Sequence, residues 1–126
     1  MDIFQIVSDW HRKFGVDPPD RPTFFGYPDE LQVDMLHEEI DEMLEALADR
    51  DMVSFVDGGC DAIWILCGML YRAGVDLRPA FAEIARSNHT KELSKDSGST
   101  KIKKGPNYSA PDLKPALKSM GWEGDD

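Results

Sequence analysis

The chain has 126 residues, of which 41% are hydrophobic and 10% aromatic, enough for one domain to bury a core without stabilising cross-links. Its formal net charge of -10 argues against partners that are nucleic-acid polymers or anionic membrane surfaces. We therefore expect a single domain over residues 1–126.

The first half of the chain predicts two amphipathic helices. Apolar residues at spacings of three and four predict the first helix over residues 3–14. Four prolines then indicate an irregular connection over residues 16–28. A long second helix is expected to begin at residue 28 or 29 and to end near residues 49–51, with apolar residues on one side and acidic residues on the other.

A third helix is expected over residues 52–73, and because it is almost wholly apolar after Asp61, it should be the most buried element. Gly58 and Gly59 lie inside it and cost about 1 kcal/mol each relative to alanine. We therefore expect a neighbouring helix or a ligand to approach closely there. A fourth helix is predicted from about residue 76 to residue 91.

The remaining residues, 94–126, form an extended tail that we expect to be mobile or ordered by a ligand. Residues 95–105 are polar and contain glycine and serine, with several lysines grouped together. A short helix is expected to end at Met120, and no segment has the pattern of a strand. The predicted fold class is all-α, a four-helix-bundle-like domain with an extended C-terminal tail.

The two cysteines, Cys60 and Cys67, stand seven residues apart in an apolar run. That spacing places them on one helical face but too far apart for a disulfide, so both are expected to be small core residues. The sequence at Met1 has no basic region before an apolar one, and no apolar stretch reaches the roughly 20 residues of a membrane span. These features predict a cytoplasmic protein with no membrane partner.

Carboxylates at helical spacing are the main functional signal of the sequence. Glu39 and Glu42 share a face of the second helix, and Asp57 and Asp61 share a face of the third. If the two faces meet, protons or hard cations must neutralise them, and Mg²⁺ or Mn²⁺ suits such an oxygen-rich cluster. A solvated acidic face is the alternative, but the third helix carries no basic residue before position 72, which favours a metal.

Four motifs, taken in order, resemble those of a known family. They are Glu38-Glu39-x-x-Glu42, Asp57-x-x-x-Asp61 leading into Ala62-Ile63-Trp64, Arg86-Ser87-Asn88-x-x-Lys91, and Lys104-Gly105-Pro106-Asn107-Tyr108 before Pro111-Asp112-Leu113. Over most of its length the chain resembles the all-α nucleoside triphosphate pyrophosphohydrolases, the MazG-like group with relatives among dimeric dUTPases. The resemblance implies a MazG-type fold, a homodimer or homotetramer, and Mg²⁺-dependent cleavage of a nucleoside triphosphate to a monophosphate and pyrophosphate.

The same resemblance assigns roles to individual residues. The implied Mg²⁺ ligands are Glu39, Glu42 and Asp61, with Asp57 as a fourth, and Glu38 and Glu39 are the implied catalytic carboxylates, Glu38 orienting or deprotonating water. The implied substrate-binding residues are Arg86, Asn88, Lys91, Lys104 and Tyr108. For Arg86 a plain surface position is the alternative, and for Lys104 and Tyr108 it is a disordered basic linker.

One departure from the family pattern affects the third helix. The second acidic motif of the family is usually Glu-x-x-Asp, but Gly58 stands three residues before Asp61 and Ser54 stands three before Asp57. Asp57, four residues before Asp61, can take the place of the missing glutamate on the same face. Its shorter side chain would shift a metal or remove one ligand.

Two other functions remain open, along with one base-binding hypothesis. A related activity is hydrolysis of another pyrophosphate-linked nucleotide such as phosphoribosyl-ATP, and the missing glutamate also allows a helical interaction module without turnover. Trp10 and Phe14 could stack on a base, although aromatic residues at helical spacing are more often core residues.

Overall fold

Five helices and one pair of short strands build the chain. The computed structural model describes residues 1–27, 29–94, 101–124 and 126. The elements are α1 Ile3–Lys13, α2 Asp29–Asp49, α3 Met52–Arg72, α4 Leu77–Asn88, β1 Glu92–Leu93, β2 Ile102–Lys103 and α5 Lys114–Ser119. The predicted all-α class is confirmed, and the bounds of α1, α2 and α3 agree with the sequence pattern to within one residue at each end.

An aspartate begins each of three helices. Asp2, Asp51 and Asp76 are the N-caps of α1, α3 and α4, and each side chain accepts a hydrogen bond from a backbone N–H in the first turn. These hydrogen bonds hold the pKa of Asp2 and Asp51 below the usual range, while the side-chain bond from Arg78 is the larger cause of the lowered pKa of Asp76. The capping carboxylates are thus ionised at neutral pH and accept these hydrogen bonds in their charged form.

The hairpin of α2 and α3 is the centre of the fold. The two helices are joined by only two residues, Arg50 and Asp51, so they run antiparallel along each other. Arg50 adopts a φ of 57°, and the N–H of Asp51 donates to the carbonyl of Ala46 at 2.9 Å, which ends α2 and reverses the chain. No other pair of elements in the described ranges has so extensive an interface.

The hydrophobic core lies where α1 crosses the C-terminal half of α3. Phe4 and Val7 of α1 pack against Cys67 and Tyr71 of α3, and Val7 has no exposed surface. The hydroxyl of Tyr71 donates to the carbonyl of Val16 at 2.8 Å, which fastens the start of the connection after α1 to the same core.

Two expectations about α3 need correction. Cys60 is exposed rather than buried, because α1 covers the cysteine face of α3 only as far as Cys67. For the same reason α3 is not the most buried element of the single chain. Its outward face leaves large apolar side chains in solvent, namely Met52, Val53, Val56, Ile63 and Leu66. Among the described residues, α3 is the one helix that is long and apolar enough to cross a membrane by length and composition alone, with Asp57 and Asp61 interrupting its apolar run.

The tail folds back onto the body of the protein. Glu92 pairs with Lys103 and Leu93 with Ile102 in a two-stranded antiparallel ladder, so the expectation that no strand forms is wrong. These strands are only two residues long, too short to show an alternating sequence pattern. α4 ends at Asn88, three residues earlier than expected, and α5 packs against it. Of the lysine-rich segment predicted over residues 95–105, residues 95–100 lie outside the described ranges.

Candidate functional site

Close packing of α2 against α3 brings their acidic faces together. A Cβ atom built on Gly58 would lie 3.1 Å from the backbone nitrogen of Met43 and 3.2 Å from its Cα. Only a glycine lets the two backbones approach this far without a shift. The close approach predicted from the paired glycines is therefore confirmed at Gly58, and the partner is helix α2.

Glu39 is the most constrained carboxylate at this interface. Its Oε2 atom is shielded from solvent and has no hydrogen-bond partner in the described part of the chain. Burial raises the pKa of the Glu39 carboxyl, and the charges of Glu42, Asp61 and Glu38 raise it further. A shielded carboxylate among like charges is costly unless a cation or a proton reaches it.

The acidic surface continues from Glu42 along the interface towards the turn that joins α2 to α3. Glu42 and Asp57 line an open cleft of about 270 Å³ together with other acidic or small residues. Those other residues are Glu45, Ala46, Asp49, Asp51, Ser54 and Gly58. In the ranges that the structure describes, no ion pair joins Glu38, Glu39, Glu42, Asp57 or Asp61 to a lysine or arginine.

The donor set fits a hard divalent cation in its chemistry. The acidic side chains at the interface offer carboxylate oxygens, the ligands that Mg²⁺ and Mn²⁺ prefer. Within the described residues, however, no three acidic, histidine or cysteine side chains converge on one point. The charge of Asp61 acts on Glu39, and Glu42 and Asp57 line the same cleft.

The predicted phosphate-binding residues gather at a different place, where α4 ends and the tail returns. Asn88 is the last residue of α4 and is exposed, and the N–H of Lys91 donates to its carbonyl at 3.1 Å. The ammonium group of Lys104 lies 5.0 Å from the centre of the Tyr108 ring. No hydrogen bond or ion pair of the described residues connects this group to the carboxylates of α2 and α3.

Arg86 fastens the tail to α4 rather than standing free. Its guanidinium binds the carboxylate of Glu83 and donates to the Ser109 hydroxyl and the Ala110 carbonyl, each at 3.0 Å. The Ser109 N–H in turn donates to the Thr90 hydroxyl at 2.8 Å. Arg86 therefore holds the segment after Tyr108 in place and could act on a substrate only by exchanging these partners.

An aromatic cleft lies one helical turn beyond the carboxylates. Trp10 and Trp64 meet edge to face with ring centres 5.6 Å apart. The cleft between α1, α2 and α3 has a volume of about 180 Å³, and its other lining residues are His11, Leu31, Gln32, Met35, Ile65, Gly68 and Arg72. Trp10 is 44% exposed and Phe14 is 62% exposed, so the expectation that they are core residues is wrong.

Sequence reasoning missed Arg72 and gave Trp64 only an apolar role. Both belong to a row of positions, Asp61, Trp64, Gly68 and Arg72, that repeats every three or four residues along one face of α3. That spacing was visible in the sequence and connects the acidic interface to the aromatic cleft.

The fold is all-α, and its central antiparallel helices carry acidic residues on their facing sides. The chain belongs to the phosphoribosyl-ATP pyrophosphohydrolase family, which matches residues 7–88, and this family is part of the MazG-like superfamily. No curated protein matches the chain.

The family match has a clear boundary. It runs from α1 to the last residue of α4 and therefore includes all five predicted carboxylates, from Glu38 to Asp61. Lys91, Lys104 and Tyr108 lie beyond it. The match establishes a hydrolase that acts on pyrophosphate bonds, while the substrate is a separate question.

Proposed function

We propose that the protein hydrolyses a nucleoside or deoxynucleoside triphosphate between its α and β phosphates, giving the monophosphate and pyrophosphate. The observation that carries this proposal is the Glu39 carboxyl, whose Oε2 atom is shielded and has no hydrogen-bond partner among the described residues, close to the like charges of Glu42, Asp61 and Glu38. A purely structural role gives no reason to retain such an arrangement, whereas binding of a divalent cation removes its cost.

In this proposal Glu39, Glu42, Asp57 and Asp61 hold Mg²⁺, and Mn²⁺ can replace it. When bound, the cation neutralises phosphate charge and lowers the pKa of a water molecule. Glu38 is exposed beside Glu39, where it can accept a proton from the attacking water and orient it towards phosphorus. Asn88, Lys91 and Lys104 supply hydrogen bonds and positive charge to the phosphates, and the Tyr108 ring supports Lys104.

We propose that the base of the nucleotide binds in the aromatic cleft. Trp10 and Trp64 present apolar ring surface there, on which a base can stack. Met35 lies one turn before Glu39 on α2, and Trp64 lies one turn after Asp61 on α3, so the cleft borders the acidic interface directly.

The family match supports a second candidate substrate, phosphoribosyl-ATP. Its hydrolysis breaks the same α–β bond, so the proposed roles of the carboxylates are unchanged. The two candidates differ in the second phosphate that phosphoribosyl-ATP carries on the far side of its base, for which the site must provide an additional cation.

A substrate panel tests the proposal. The protein is incubated with Mg²⁺ and each of the common NTPs, dNTPs and phosphoribosyl-ATP, and the released phosphate species are identified. Pyrophosphate is the expected product, orthophosphate would indicate a different hydrolase, and no product from any nucleotide would favour the non-catalytic interaction module. Asp34→Asn, an exposed acid of α2 outside the proposed site, is the matched control for carboxylate variants.

We also propose that the protein is a cytoplasmic homodimer or homotetramer in which a second copy covers the outer face of α3. A cavity of about 930 Å³ opens on this side, lined by apolar residues that include Ile3, Ile63 and Phe81. Large apolar side chains exposed together, as on the outer face of α3, are typical of an interaction site. Light scattering on the purified chain tests the assembly, and a monomer at micromolar concentration would contradict it.

A further inference from the structure

Arg72 is a charged residue without a partner at the end of the aromatic cleft. Its Nε atom is shielded from solvent and makes no hydrogen bond. Across the described part of the chain, no hydrogen bond or ion pair involves its guanidinium, whereas Arg78 binds Asp2 and Asp76 and Arg86 binds Glu83. A shielded N–H donor with no acceptor is destabilising, which calls for an acceptor from outside the protein.

The cleft offers a second hydrogen-bond donor close to Arg72. The hydroxyl of Tyr27 donates to Oε1 of Gln32 at 2.6 Å, which fixes the amide and leaves its nitrogen without a partner among the described residues. His11 is oriented as well, because its Nδ1 donates to the carbonyl of Val7 at 2.8 Å. A ligand in the cleft thus meets the N–H groups of Gln32 and Arg72.

The position of Arg72 relative to the carboxylates fits the length of a nucleotide. Arg72 follows Asp61 by eleven residues on α3, about 16 Å along the helix axis. Arg72 lines the same cleft as Gly68 and Trp64, as expected for helical side chains that lean towards the N-terminus of their helix. A nucleotide with its phosphates at Asp61 and its base beside Trp64 therefore turns the far edge of the base to Arg72.

We propose that Arg72 is a specificity-determining residue that selects a base with hydrogen-bond acceptors on its far edge, guanine in preference to adenine. The inference rests on the proposed function and deepens it. The guanidinium donates and never accepts. Guanine presents two adjacent acceptors, O6 and N7, to such a fork, whereas adenine presents one acceptor beside an amino donor.

The test is the ratio of kcat/KM for dGTP to kcat/KM for dATP, measured with Mg²⁺ for the wild type and three variants. This ratio does not depend on the fraction of folded protein, so a loss of stability cannot imitate the effect. We expect a wild-type preference of about ten- to a hundredfold for dGTP. Arg72→Gln should remove it, and Arg72→Lys should remove most of it because lysine lacks the two-pronged donor.

Arg12→Gln is the matched control, since Arg12 lies over the Tyr71 ring and beside Asp9, outside the cleft, and should keep the preference. Equal rates for dGTP and dATP in the wild type, faster turnover of phosphoribosyl-ATP than of dGTP, or a preference that survives Arg72→Gln would each overturn the inference. In all three cases pyrophosphate is still released, so the proposed cleavage between the α and β phosphates stands, and faster turnover of phosphoribosyl-ATP identifies it as the substrate.

Failure of the proposed function gives a different result, namely no pyrophosphate from any nucleotide. The role of Arg72 is then read from quenching of tryptophan fluorescence by GMP and AMP, because Trp10 and Trp64 line the cleft. Stronger quenching by GMP that Arg72→Gln abolishes supports the inference. Equal quenching by both nucleotides, or none, overturns it.

Discussion

The two halves of α3 differ in what they contribute. Its C-terminal half meets α1 in a packed core around Val7 and Tyr71, with the Tyr71 hydroxyl bonded to Val16. Its N-terminal half packs against α2 at Gly58, and the charge of Asp61 on this half acts on Glu39. The difference teaches that stability and chemistry are separated along one helix, so substitutions should affect one far more than the other.

The largest expected effect is on stability, at the packed half. Phe4 is buried in the core, and Phe4→Ala should lower the free energy of unfolding by about 3 kcal/mol, because it removes a ring and leaves a cavity. Urea unfolding measures the loss, and pyrophosphate release at low temperature should stay near the wild-type rate. Phe24→Ala, at a side chain that is 70% exposed, is the control. A folded Phe4→Ala protein without activity would contradict the separation.

The opposite effect is expected at the acidic half. Glu42→Ala should reduce pyrophosphate release at least about a hundredfold, since it removes a proposed metal ligand. The same variant should change the free energy of unfolding by less than about 0.5 kcal/mol, because the side chain is exposed. Comparison with Asp34→Asn separates the loss of a proposed metal ligand from the loss of any acidic residue of α2. Full activity of Glu42→Ala would refute the metal-site argument.

Gly58 is the position at which one substitution should lower both stability and activity. Gly58→Ala is expected to cost about 1–3 kcal/mol and to lower activity, because the new methyl group presses on the backbone of Met43 and forces the helices apart. Gly59→Ala is the matched control, because it makes the same substitution at the next residue of α3. A methyl group there would meet only the flexible end of the Met43 side chain at 3.4 Å, so Gly59→Ala should be stabilising by up to about 1 kcal/mol. Equal effects of the two substitutions would show that the close approach does not matter.

The smallest expected effect is a gain in stability. The pKa of Glu39 is raised in the folded protein, so its contribution to stability is present at acidic pH and is lost as pH rises through that pKa. Glu39→Gln should therefore melt at a higher temperature than the wild type at pH 7.5 without metal, and the difference should shrink towards pH 4. Addition of Mg²⁺ should stabilise the wild type but not the variant. A lower melting temperature for metal-free Glu39→Gln would contradict this account.

Helix periodicity was enough to predict most of the fold. The pattern of apolar residues located α1, α2 and α3, and the glycine pair indicated the close helix contact, because these signals are local or repeat along one element. The facing of Glu39 and Asp61 also followed from the sequence, since a two-residue link forces α2 and α3 to run antiparallel.

Features that depend on the arrangement of three elements could not be read in this way. The exposure of Cys60 depends on where α1 stops covering α3, and the engagement of Arg86 depends on the path of the tail. The cleft residue Arg72 was missed because its significance comes from the lack of a partner, and partners are set by tertiary packing.

The contact at Gly58 also limits which acidic residues this face of α3 can carry. Glutamate three residues before Asp61 is the usual form of the motif, yet a side chain at that position here would press on the backbone of Met43. A single substitution of Gly58 by glutamate would therefore not restore the usual motif, because α2 and α3 would first have to move apart. In this chain, the close helix spacing at Gly58 and the use of Asp57 as the acidic residue are therefore linked.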